Sequence, residues 1–244
     1  MNSLFTLLKN SLPLPLLKMF QCIRDIYHWD SFFQKSYSQE GEDMILNRLF
    51  ETQLKGFYID IGAHHPKRFS NTYFFYKKGW HGINIDAMPG SMISFKKIRP
   101  RDINIETPIS DKKEFLTYYV FNELALNGFS KELSELRNGK NNYFIKSQID
   151  LETSTLETIL NEKLRINQEI DFLSIDVEGL DFQVLKSNNF EKYLPKVILI
   201  EILESNLSNI EKNEIAIYLK KYNYSVYAKA VNTVIFVRDN FVDK

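Results

Sequence analysis

The chain carries one cysteine, Cys22, and no excess of charge: 31 Lys and Arg balance 31 Asp and Glu over 244 residues. A lone thiol excludes an internal disulfide framework and a zinc–cysteine cluster, and a reducing cytoplasm is its simplest compartment. Zero net charge removes the global field that gathers nucleic acid or an anionic membrane. No basic stripe runs along the chain, so no nucleic-acid partner is expected. Internal repeats and low-complexity stretches are absent, no apolar run is long enough to span a bilayer, and no full Gly-x-Gly-x-x-Gly follows a strand. Present instead is 44% hydrophobic residues, enough for a sizeable core, with 14% aromatic. That size and composition suit one α/β domain with a tail rather than two full domains.

The tail is residues 1–35. In its first 23 residues Leu4, Phe5, Leu7, Leu8, Leu12, Leu16, Leu17, Met19 and Phe20 crowd together with Lys9 and Lys18 and no acid. Lys9, Pro13 and Pro15 interrupt any signal-peptide core. Two readings stand open: a helical arm packed on the domain or on a second subunit, as in a homodimer, and an interfacial helix of residues 1–23 on the inner face of a membrane.

From residue 36 to 244, strand and helix alternate, which demands a mostly parallel sheet with helices on both faces. Ser38 is expected to open a helix whose first turn holds Glu40, Glu42 and Asp43. Gly56 is expected to stop that helix before strand Phe57–Ile61. A helix from Asn71 to Lys78 closes at Gly79, and a strand follows over residues 82–86. Further strands are predicted over residues 102–105, 114–121, 170–175 and 197–202, with helices over 89–98, 155–164, from 181 to 187 and 210–221. Residues 225–230 and 233–237 form a closing hairpin, which makes the last strand of a seven-stranded sheet antiparallel. Residues 122–149 are polar, with Asn127-Gly128, Asn138-Gly139 and Asn141-Asn142; they read as a long insertion, either a substrate lid or a surface loop.

Two neighbouring strands each end in an acid. Phe57-Tyr58-Ile59-Asp60-Ile61-Gly62-Ala63-His64-His65-Pro66 is a buried strand that turns at a glycine, and Gly82-Ile83-Asn84-Ile85-Asp86-Ala87 is the second. A carboxylate accepts two hydrogen bonds from a vicinal diol, so acids at two parallel strand tips suit a nucleoside cofactor, with Asp86 on the ribose.

Four segments resemble the FkbM-type family of S-adenosylmethionine-dependent methyltransferases. They are Tyr37-Ser38-Gln39-Glu40-Gly41-Glu42-Asp43; Phe57 to Ala63; Ile83-Asn84-Ile85-Asp86-Ala87; and Leu173-Ser174-Ile175-Asp176-Val177-Glu178-Gly179, followed by Val184-Leu185 and Glu201. The resemblance spans roughly residues 36–204, and the Asp-x-Glu-Gly turn is its most specific part. It implies a Rossmann-like class I methyltransferase fold that binds S-adenosylmethionine. It places Asp60, Gly62, Ala63 and His64 near the methionine portion, Asp86 and Ala87 at the ribose, and Ile109, Ser110 and Asp111 beside adenine. Asp176 and Glu178 fall where the transferred methyl meets the acceptor. The chain departs from the family loop Asp-x-Gly-Ala-Asn-x-Gly: His64 replaces the asparagine, Pro66 the later glycine, and the loop is one residue longer. Arg68 in the following run is a candidate for the cofactor carboxylate or the acceptor, or a solvated turn residue.

Methyl transfer to a hydroxyl needs an aligned nucleophile and a route for its proton. Asp176 and Glu178 are the first candidates for the base, with Glu201, His64 and His65 behind them; His65 is the favoured histidine. Asp176 with Glu201 could bind Mg²⁺, although their spacing does not establish a metal site and none is predicted. Family members often act on surface polysaccharides and secondary metabolites, so the resemblance implies a cytoplasmic O-methyltransferase in polysaccharide biosynthesis, acting on a small-molecule or glycan acceptor. The competing readings are a non-catalytic module in a glycan assembly complex and a nicotinamide-dependent oxidoreductase. The missing glycine fingerprint and the closing hairpin argue against the oxidoreductase. The absence of an Asn-Pro-Pro-Tyr-type motif argues against nucleic-acid methylation.

Overall fold

The structure, a computed structural model, describes residues 12–26, 33–203 and 205–242. The chain divides into two compact units, residues 1–36 and 37–244. The first contains helix α1, Leu14–Ile26. Pro15 sits in its first turn, where a backbone N–H has no helical acceptor anyway. Leu14, Leu16, Met19 and Phe20 are exposed. The expected apolar residues Leu4 to Leu8 lie outside the described residues. Among the described residues, no helix is long and apolar enough to cross a membrane.

The second unit is built on a seven-stranded sheet. In chain order its strands are β1 Phe57–Ile61, β2 His81–Asp86, β3 Ile103–Glu106, β6 Phe172–Ile175, β7 Val197–Glu201, β8 Tyr224–Ala230 and β9 Thr233–Arg238. Their spatial order is β3-β2-β1-β6-β7-β9-β8. The first five are parallel; β9 runs antiparallel between β7 and β8. The fold is therefore α/β, with a seven-stranded, mostly parallel sheet whose last strand is antiparallel. Every residue of β1 is buried, as a central parallel strand covered on both faces requires. Ile59 and Ile61 enter a core of aliphatic residues with Leu173 and Ile198. Tyr58 points the other way, into an aromatic core with Phe50, Phe75, Trp80 and Phe172.

Helix α2 spans Glu42–Leu49. It starts later than expected because Gly41 lies in the left-handed region at φ +90, which a right-handed helix cannot run through; Ser38 still serves the helix start, its hydroxyl accepting from the N–H groups of Gly41 at 3.1 Å and Asp43 at 3.3 Å. It also ends well before Gly56, so that glycine is not its stop signal. Helices α3 Tyr73–Lys77 and α4 Met92–Ile98 follow, and Gly79 closes α3 at φ +97.

Strand β4, Phe115–Phe121, does not join the main sheet. It pairs antiparallel with β5, Ile145–Glu152, in a sheet of two. Between them lie a 3-10 turn, Leu124–Leu126, and helix α5, Lys131–Arg137. The expected irregular loop over 122–149 is thus largely ordered. Ser130 caps α5 by accepting from Leu133 N–H at 3.2 Å, and the Asn127 side chain accepts from Phe121 N–H at 2.8 Å. Helices α6 Leu156–Lys163, α7 Asp181–Lys186 and α8 Glu214–Lys220 cover the sheet, and a short α9, Asp239–Val242, ends it. The predicted helix over 210–221 is broken at Asn213, which caps α8 through Ile215 N–H.

An unanticipated polar core lies beneath β1. The Arg99 side chain, fully buried, pairs with Asp102 at 2.8 Å and donates to Tyr58 Oη at 2.8 Å. Asp102 also accepts from Tyr58, Gly82 N–H and Asn84. Arg99 reaches Ser70 at 3.4 Å, Ser70 meets Thr72, and Thr72 donates to Asp60 at 2.6 Å. Burying this cation is tolerable because nearly every donor and acceptor is matched.

Candidate active site

The strand register brings one set of residues to one edge of the sheet. Asp60 is level with Asn84 and Ser174, Ile61 with Ile175, Ile175 with Ile200, and Glu201 with Thr233 of the incoming β9. Chain order reverses between β1 and β6, so a crevice opens outside the carboxyl ends of the strands at that switch point. A cavity of about 390 Å³ occupies it.

The turn after β1 forms one wall. Gly62 has φ +78, and a Cβ there would lie 1.7 Å from the Asp176 carbonyl oxygen. Only glycine lets the end of β1 pass so close to the end of β6. The N–H groups of Gly62 and Ala63 both donate to the Ile85 carbonyl, which ties this turn to β2. His64 lies in the left-handed region at φ 51, a conformation that Asn, Asp and His tolerate best among side chains with a Cβ. That explains how a histidine fits at this turn. Its ring stacks on Phe69, and burial followed by Arg68 holds its pKa below the usual range. His65 Nδ1 accepts from the N–H groups of Lys67 at 3.1 Å and Arg68 at 2.9 Å. The lone pair a general base needs is therefore occupied, and the ring proton is assigned to Nε2. Arg68 pairs with Glu123 at 3.2 Å.

Asp86 stands at the end of β2. One oxygen accepts from His64 N–H at 2.8 Å and the other from Met88 N–H at 2.8 Å. A carboxylate offers about four acceptor positions, so beyond these two bonds the group can still accept from a ribose. Burial raises its pKa and these two N–H groups pull it back. Ala87 lies beside it on the cavity wall. Of the expected adenine residues only Ile109 lines the cavity, together with Thr107 and Pro108. Ser110 is buried and Asp111 faces Lys186 at 3.8 Å. Asp60 and Ala63 likewise lie behind the wall rather than on it.

The third wall is acidic. Asp181 accepts from Val177 N–H at 3.0 Å and Gly179 N–H at 3.1 Å and so ties down the turn after β6; burial takes its pKa up to about 6. Glu178 within that turn has φ 55 and pairs with Arg137 at 2.6 Å. Asp176 opens onto the cavity, yet protein encloses it at longer range. That enclosure, then Glu201, raises its pKa well above its ordinary value. Burial, then Glu178 and Asp181, push Glu201 up to about 8, and its buried Oε2 has no hydrogen-bond partner. Two acids so placed do not both ionise readily. Glu40 and Glu42 complete the wall. Glu40 accepts from Asn232 N–H at 3.1 Å and Glu42 from the Thr233 hydroxyl at 3.1 Å. In all, Glu40, Glu42, Asp86, Asp176, Glu178 and Glu201 face the cavity, and among the described residues no lysine or arginine does. The site therefore suits a cationic ligand with a polar, diol-bearing part. Among the described residues, no group of three His, Cys, Asp or Glu is placed to hold a metal ion.

A family model described as "Methyltransferase FkbM domain" matches residues 60–226. The chain belongs to the FkbM methyltransferase family. It is thus an S-adenosylmethionine-dependent methyltransferase, and the acidic cavity with Asp86 at the tip of β2 fits that cofactor's sulfonium and ribose. The family match begins at Asp60, so the Glu40–Glu42 wall lies outside it. Similar solved structures include one assigned as an RNA methyltransferase from Pyrococcus horikoshii, with 10% identity and a TM-score of 0.41, covering 82% of this chain and 83% of that one. Another is a TehB-like SAM-dependent methyltransferase from Corynebacterium glutamicum, with 11% identity and a TM-score of 0.39, covering 91% of this chain and 97% of that one. No curated protein sequence matches the chain.

Proposed function

We propose that this FkbM-family protein is an O-methyltransferase acting on a hydroxyl of a sugar or glycan precursor. S-adenosylmethionine supplies an electrophilic methyl group carried on a sulfonium. In this reading Asp86 holds the ribose, Thr107, Pro108 and Ile109 border the adenine, and the acidic wall offsets the sulfonium charge. Phe69, Tyr118, Leu124 and Phe129 give apolar surface for a ring face, while the carboxylates accept from its hydroxyls. The observation that carries the reading is the Asp176–Glu201 pair. Glu201 has a buried, unpartnered oxygen and a pKa of about 8, which suits a general base for a hydroxyl. Glu178 is a weaker candidate because Arg137 already holds its charge. A cytoplasmic location fits the free, exposed thiol of Cys22, and the exposed apolar residues of α1 fit a membrane surface or a second copy.

The test is transfer of a labelled methyl group to a panel of sugars and glycan precursors, with the product assigned by NMR. An O-methyl ether is expected, and Glu201→Gln should lower kcat by about 100-fold or more with cofactor affinity nearly unchanged. An N- or C-methyl product, or full activity in Glu201→Gln, contradicts the proposal.

A further inference from the structure

The excursion from β4 to β5 grips the turn after β6 at three points. Arg137 donates to Glu178 Oε2 at 2.6 Å, the two side chains being 23% and 16% exposed. A Cβ on Gly128 would lie 2.8 Å from both the Glu178 Cβ and its carbonyl oxygen. Gly179, at φ +107, passes Ser130 so closely that a Cβ would lie 2.7 Å from the serine Cβ. Glu178 itself has a left-handed backbone, a strained state for a residue with a side chain, which persists only where surroundings over-determine it. Those surroundings are residues 128–137 on one side and the Asp181 carboxylate, which accepts from the N–H groups flanking Glu178, on the other.

The charged and titratable neighbours of Glu178 and Glu201 are Arg137 from α5, Tyr118 from β4, Asp176 from the turn after β6, Asp181 from α7 and Glu40 from the segment before α2. Arg137 is the single cation among them. We infer that Arg137 is a positioning residue: it holds Glu178 in one place beside the Asp176–Glu201 pair and, with its own charge facing Glu201, eases release of the proton that the pair holds. The Glu178 charge opposes ionisation of both partners, and at Glu201 Arg137 offsets that opposition. Removing Arg137 and removing the Glu178 charge should therefore act on Glu201 with opposite signs. A brace that acted only by packing would not produce this pattern.

The role of the pair rests on the methyl-transfer reading, but the test needs neither cofactor nor acceptor, so the two stand or fall separately. Protein labelled with ¹³C at the glutamate carboxyls is titrated by NMR from acid to alkaline pH, with Glu201→Gln used to assign the Glu201 signal. In Arg137→Met the Glu201 midpoint should rise by more than about 0.5 pH unit. Arg137→Lys should restore most of the wild-type value, and Glu178→Gln should lower it. An unchanged midpoint in Arg137→Met, or a lysine variant that behaves like the methionine variant, overturns the inference. Should Arg137→Met fail to fold, Glu178→Gln decides alone: a Glu201 midpoint that does not fall overturns it.

Discussion

Gly62→Ala is the sharpest probe of how β1 meets β6. The backbone term comes first: φ +78 lies where a Cβ costs about 1–2 kcal/mol. The contact term is larger. The new Cβ would lie 1.7 Å from the Asp176 carbonyl oxygen and 2.7 Å from its carbon, both main-chain atoms that cannot swing aside. The strand ends must part, straining the Asp176 N–H to Ile61 carbonyl bond, now 3.0 Å. Forced overpacking costs about 1–3 kcal/mol and a lost hydrogen bond about 1 kcal/mol. Together with the backbone term these give about 3–6 kcal/mol, or roughly 6–24 °C in Tm at about 2–4 °C per kcal/mol for a domain of this size. Gly79→Ala is the matched control, with φ +97 but nothing within 4 Å of the new Cβ, so it bears the backbone term alone. Scanning calorimetry of the two variants separates contact from conformation. Equal Tm values for both would refute the claim that the end of β6 dictates glycine at position 62.

Arg99→Met should destabilise the domain by about 3–5 kcal/mol by stranding Asp102 in the core. A urea melt showing a loss below about 1 kcal/mol would contradict the buried network. Glu201 gives a signed pH dependence. The unfolded chain releases its proton near 4.5 and the folded chain near 8, so the folded state binds more protons between those values. Stability from this group is therefore lost as pH rises from about 4.5 to 8 and is level above it. Tm against pH should fall less steeply for Glu201→Gln over that range, and identical slopes would refute the assignment.

The sheet was legible because its strands are short apolar runs bounded by turn residues, and because Asp60, Asp86, Asp176 and Glu201 mark four strand ends. Strand β5 was not legible. Its pairing with β4 joins Phe115 to Glu152 and Phe121 to Ile145, a long-range register that no local turn signal announces. The polar Asn-rich segment between them looked like a loop for the same reason. Asp60 read as a cofactor contact because it ends a strand, but it lies behind the wall, bound to Thr72. Glu40 and Glu42 were legible only as helix-start acids. Their place on the cavity depends on β9 bringing Asn232 and Thr233 against them, which is tertiary information. Arg99 and Arg137 are single cations among 31 basic residues, and only folding distinguishes them from a solvated surface.

The central claim is that the cavity at the carboxyl ends of β1, β2, β6 and β7 binds S-adenosylmethionine with Asp86 on its ribose. Calorimetric titration of the folded protein with S-adenosylmethionine, beside Asp86→Ala, tests it directly. The account predicts binding by the wild type and a loss of at least about tenfold, or about 1.4 kcal/mol, in the variant. No binding by a folded wild type, or equal binding by Asp86→Ala, would contradict it.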